Sequence, residues 1–122
     1  MQHMNQKIIA HQVLFTFKDG YSWQSPIAQQ AARVSENHPN EIPQILVWCC
    51  GRSLVKRQQA ADFSLIGLFN DQQAMHEYMV HPDHQKGVDL WRKISTWTIS
   101  DILVDQHTLS LFKQNKGITE VT

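Results

Sequence analysis

Apolar residues along this chain change their repeat from two residues to about 3.6 and back, and the order of those changes limits its fold. Residues 8–17 alternate: Ile9, His11, Val13, Phe15 and Phe17 share one face, and Ile8, Ala10, Gln12, Leu14 and Thr16 the other. Lys18-Asp19-Gly20 closes this first strand with turn residues. From Ser25-Pro26 onward Ile27, Ala31, Val34 and His38 fall at helical spacing, with Gln29, Gln30, Arg33 and Glu36 facing water. Ser25 suits the N-cap and Pro26 the first helical position, where a missing N–H costs nothing. His38-Pro39-Asn40 predicts the stop. Residues 44–50, near-continuously apolar, predict a second strand interrupted by Gly51, and 53–61 read as a loop. Residues 62–69 predict a third strand with Phe63, Leu65, Gly67 and Phe69 on one face. Asn70 predicts a second helix cap, with Gln73 as the return arm of a capping box and Ala74, Met75 and Tyr78 turned inward. His81-Pro82 breaks that helix, and Pro82 starts a short one running to about Trp91. Residues 97–105 predict the fourth strand.

The resulting order, β-α-β-β-α-β, predicts one α+β domain of ferredoxin-like pattern over residues 8–107. A polar lead-in (1–7) precedes it, and a tail or dimer arm (108–122) carrying Leu109, Leu111 and Phe112 follows. A length of 122 residues suits one domain. The strands are apolar on both sides while the helices can cover only one, so a homodimer with facing sheets is expected. Eleven basic and eleven acidic residues leave no electrostatic footprint for nucleic acid or an anionic membrane. No apolar run approaches the ~20 residues of a membrane span. The polar start lacks a signal-like apolar core, which predicts a cytoplasmic protein. The adjacent Cys49 and Cys50 alternate across a strand, a poor geometry for a bridge, and are expected as interior, reduced thiols.

Several stretches resemble the stress-responsive dimeric α/β-barrel (Dabb) family. They are the opening His11-Gln-Val-Leu-Phe-Thr-Phe-Lys18, the end of the second strand from Trp48 to Gly51, and the closing Ile102-Leu-Val-Asp105. The block from Asp62 to His84, ending in Tyr78-Met-Val-His81-Pro82-Asp83-His84, is the most specific of them. The resemblance spans about residues 8–107 and implies two four-stranded sheets meeting as one barrel with helices outside. Family members differ in activity: some are stress-associated plant proteins of unclear chemistry, and one, olivetolic acid cyclase, closes a polyketide chain by an aldol reaction. Such a fold does not by itself settle function.

The resemblance places Tyr78 and His84 where that cyclase carries its catalytic tyrosine and histidine, and matches His11 to a further pocket histidine. A histidine can take an acidic proton between two carbonyls, while a phenol hydrogen-bonds the developing enolate oxygen. A structural reading stands beside this one: His81-Pro82 is a helix-breaking corner, where Tyr78 packs inward and His84 bonds backbone. A lone histidine on an apolar strand face, such as His11, is more often a hydrogen-bonded core residue than a catalyst. Phe15, Phe63, Trp91 and His81 are expected as substrate-binding wall. His81 and His84, with Asp83 between them and His11 as a further candidate, would need to converge as three or four zinc ligands, but Pro82 twists the helix start where two of them lie and no full set can be named; neither metal nor cofactor is expected. His3, His38, His76 and His107 read as solvent-facing or helix-end residues. The function expected is binding of a small apolar or aromatic molecule between sheet and helices. The alternatives are a cofactor-independent, cyclase-like proton transfer by His84 and Tyr78, a non-catalytic stress or interaction module, and, more remotely, a monooxygenase.

Overall fold

The structure, a computed structural model, describes residues 7–105, 107, 109 and 110; most of the expected lead-in and tail lies outside them. In chain order the elements are β1 (Lys7–Phe17), α1 (Pro26–Glu41), β2 (Val47–Arg52), β3 (Phe63–Phe69), α2 (Gln72–Val80), α3 (Pro82–Ile94) and β4 (Ser95–Asp105). The strands form one antiparallel sheet in the order β2-β3-β1-β4. The order expected from periodicity is therefore the order found, and the fold is ferredoxin-like. No helix among the described residues is long and apolar enough to cross a membrane.

The helices pack on the face of the sheet that holds Val13, Phe15, Phe63 and Leu65, with Ala28, Ala31 and Ala32 of α1 and Trp91 and Ile94 of α3 opposite. Small alanines let α1 approach the sheet closely, and the stacked rings of Phe15 and Trp91, 4.3 Å apart, fill the space beside them. The other face carries Leu14, Val47, Ile66 and Ile102, all exposed in the single chain.

Several local expectations are corrected. Helix α1 does not stop at Pro39 but runs to Glu41, because a proline costs only one hydrogen bond when the carbonyl it abandons finds another donor. That carbonyl belongs to Ser35, four residues earlier, and it accepts the indole N–H of Trp48 at 3.1 Å. Ser25 occupies the N-cap, yet its hydroxyl takes the backbone N–H of Ser22 instead of a helix N–H. The cap of α2 is Asp71, which accepts from Ala74 N–H at 2.8 Å; Gln73 bonds Glu77 and is no return arm. Helix α3 reaches Ile94, one turn beyond Trp91, and β2 begins only at Val47. Cys49 is exposed on the open face and Cys50 half-buried on the helix face, so the strand's alternation overrules the expected burial of both.

Gly67 is small for a reason the fold supplies. The Trp48 ring lies across it, and a Cβ at Gly67 would sit 2.8 Å from that ring and 3.1 Å from Phe69. Gly67→Ala is expected to lower stability by about 1–3 kcal/mol through overpacking, measured by urea unfolding. An unchanged urea midpoint would show that the Trp48 ring is free to move aside.

Candidate functional site

Between the sheet and the broken helix pair lies a cavity of about 260 Å³. Its apolar wall comes from the sheet and α3, with Phe15, Leu65, Trp91 and Trp97. Its polar end gathers Tyr78 and the imidazoles of His11, His38 and His84. The Tyr78 ring is the centre of this group, with ring centroids 4.3 Å from His84, 5.7 Å from His11 and 6.4 Å from His38.

Local chain geometry aims each group. Pro82 has no N–H, so α2 ends in His81 and α3 restarts at once, with the His81 ring accepting from the Asp83 N–H. The break orphans the Met79 carbonyl, which accepts from His84 Nδ1 at 2.9 Å and from the Gln85 amide at 2.7 Å. A carbonyl can only accept, so His84 carries its hydrogen on Nδ1 and keeps Nε2 as a lone pair. Burial pushes the His84 pKa down to about 4, against the opposing pull of the Met79 carbonyl, leaving the ring neutral at physiological pH. Burial, and then the nearby Asp101 charge, raise the Tyr78 phenol above its ordinary value, so it stays a donor.

His11 lies on β1 directly opposite Asp101 of β4, and its Nδ1 is 2.6 Å from that carboxylate. His38, in the last turn of α1, is buried, and its Nδ1 is 2.7 Å from the Asp83 carboxylate at the start of α3. Burial lowers the His38 pKa even though Asp83 works in the opposite direction.

The structure thus brings His84, Tyr78 and His11 to one cavity, with Phe15 and Trp91 in its wall. Two expected wall residues are corrected: Phe63 is packed in the core and His81 caps α3, so neither lines the cavity. His38 is the helix-end residue that one of its two readings expected, but it is buried, because α3 folds back over the end of α1. Its signal was its place four residues after Val34 on the apolar stripe of α1. Asp101 was missed as a partner; its signal was a carboxylate set between Ile99 and Leu103 on the strand face that also holds Trp97. Among the described residues no group of histidines, cysteines and carboxylates is placed to hold a metal ion.

Fold and cavity define a ferredoxin-like α+β domain with a histidine-lined pocket between its sheet and its helices. Residues 9–104 match the stress responsive A/B barrel domain, and the chain belongs to that family, as its histidine block suggested. An uncharacterized protein of Streptomyces coelicolor is 33% identical over 94 residues, covering 77% of this chain and 97% of its own. A dimeric ferredoxin-like protein of unknown function from Thermobifida fusca has a similar fold: TM-score 0.72, 17% identity, with 85% of this chain and 97% of that one covered. So has a hydroxynitrile lyase from Passiflora edulis: TM-score 0.69, 14% identity, with 83% of this chain and 96% of that one covered.

Proposed function

We propose that this chain forms a homodimer in which each cavity binds a small apolar or aromatic molecule, from which His84 takes a proton without a cofactor. The observation that carries this reading is the His84–Tyr78 pair. A neutral imidazole fixed through Nδ1 leaves Nε2 free beside a phenol that stays protonated. The base receives the proton on Nε2, and the phenol donates a hydrogen bond to the oxygen on which negative charge develops. The Asp101 carboxylate holds His11 in one orientation at the same polar end. An aldol-type ring closure of a keto chain, as the cyclase resemblance implies, needs this pairing. A lyase among the proteins of similar fold is in keeping with an enzyme on this scaffold.

The test is deuterium exchange at the central carbon of aryl 1,3-diketones in D2O, followed by proton NMR. Acceleration over buffer is expected. No acceleration across a panel would reject the base and favour a non-catalytic stress or interaction module.

The homodimer rests on the exposed Leu14, Val47, Ile66 and Ile102 of the open sheet face and on the dimeric relative of similar fold. Sedimentation equilibrium at micromolar concentration is expected to give a dimer, and Ile66→Asp a monomer. A monomeric wild type would overturn it. The adjacent free thiols Cys49 and Cys50 suit a reducing cytoplasmic setting.

A further inference from the structure

Three imidazoles meet at the polar end of the cavity, and the function proposed above uses two of them. The third, His38, is buried, lines the cavity, and lies 6.0 Å from the His84 ring. It is held as firmly as the others. Its Nδ1 meets the Asp83 carboxylate, and its Nε2 is the atom nearest Gly87, where a Cβ would come within 3.0 Å. Gly87 lines the cavity too, and a side chain there would cover this nitrogen.

All three rings share one hydrogen-bonding logic. His11 meets a carboxylate, His38 a carboxylate and His84 a carbonyl, each through Nδ1. Each partner is an acceptor, so each ring carries a hydrogen on Nδ1, and a neutral ring in that tautomer presents a bare Nε2 lone pair. His81, outside the cavity, has the opposite arrangement, with Nδ1 accepting the Asp83 N–H. Among the described residues no N–H or hydroxyl donates to any of the three Nε2 atoms, and the Tyr78 phenol could serve only one of them. Around the three rings acceptors therefore outnumber donors, since the Gln85 amide is taken by the Met79 carbonyl, and two carboxylates lie just behind them.

We propose that His38, oriented by Asp83, contacts the ligand directly and that the three Nε2 atoms select a neutral aromatic or enolic molecule bearing two or more O–H or N–H donors. An anion at the three rings would meet lone pairs backed by the Asp83 and Asp101 carboxylates, while the Arg92 guanidinium in the cavity lining is paired with Asp89. An ether of the same shape would leave buried acceptors unpaired. The inference rests on the cavity being a ligand site, as in the function proposed above, but it does not require turnover.

Two measurements test it. Long-range proton–nitrogen NMR of the wild type reports the tautomer of each ring, and the Nδ1–H form is expected for His11, His38 and His84. Binding of catechol, 1,2-dimethoxybenzene, benzoate and toluene is then followed by chemical-shift titration. Catechol is expected to bind about tenfold or more tightly than the diether or benzoate. His38→Phe should remove that preference and keep toluene binding. Asp83→Asn, whose amide can donate to Nδ1 and move the ring hydrogen to Nε2, should weaken it while His38 remains, and it decides the matter if the phenylalanine variant does not fold. An Nε2–H signal for His38 in the wild type, benzoate or diether binding as tight as catechol, no catechol binding up to its solubility, or a preference unmoved in the variants would each overturn the proposal. Catechol preference without any diketone proton exchange would reject only the base assigned to His84.

Discussion

Replacing His84 with Gln is expected to lower diketone proton exchange by about 10²–10⁴-fold, the usual contribution of a positioned general base. Glutamine is close to the size of the imidazole, and its amide can still donate to the Met79 carbonyl that His84 Nδ1 uses, so the corner at Pro82 should hold. What it lacks is a nitrogen that can take up a proton. Tyr78→Phe removes only the phenol and is expected to cost about a hundredfold through the oxygen anion it no longer stabilises. The pH profile gives an independent signature. The base works only when unprotonated, and its pKa is held near 4, so exchange should rise through about pH 4 and level off well before neutrality. An unperturbed histidine would place that rise near its ordinary value of 6.5. Unchanged exchange in His84→Gln would end the assignment of the base.

Acid should destabilise the fold well before carboxylates titrate in bulk. The folded chain holds His84 near 4, whereas the unfolded chain releases it to 6.5. Between those values the unfolded state binds a proton that the folded state refuses. Stability is therefore full above about pH 6.5, falls as pH drops toward 4, and loses nothing further from this group below that. The loss from His84 is on the order of 2–3 kcal/mol, and the lowered His38 adds to it in the same direction. Urea unfolding at pH 7 and pH 4.5 should show it directly, with His84→Gln flattening much of the slope. A wild type equally stable at both values would mean that water reaches these rings in the folded state.

Much of this was legible along the chain because local chemistry enforces it. Strand alternation places His11, Val13 and Phe15 on one face wherever β1 goes, and His81-Pro82 reads as the helix break found between α2 and α3. The family resemblance of the histidine block marked Tyr78 and His84 before any packing was known. Where local rules failed, a distant partner had changed the outcome. Pro39 reads as a stop, but Trp48, nine residues later and on a different element, supplies the donor its neighbour Ser35 needs, and α1 continues. Asn70 reads as well as Asp71 for a cap, and only the path out of β3 decides between them.

Reading along the chain yielded the element order, the inward faces of β1 and β3, the helix break at His81-Pro82, and the positions of Tyr78 and His84 on its two limbs. Tertiary structure alone decided the rest of the cavity's polar end. Asp101 reaches His11 because β1 and β4 pair antiparallel in one register; shifted by one residue, the carboxylate would face the other side of the sheet. His38 reaches Asp83 across 45 residues because α1 and α3 lie side by side, and Gly87 leaves the room between them. Hydrogen bonds of this kind depend on separations of under 3 Å between segments far apart in the chain. No local pattern of residues encodes such a distance; packing does.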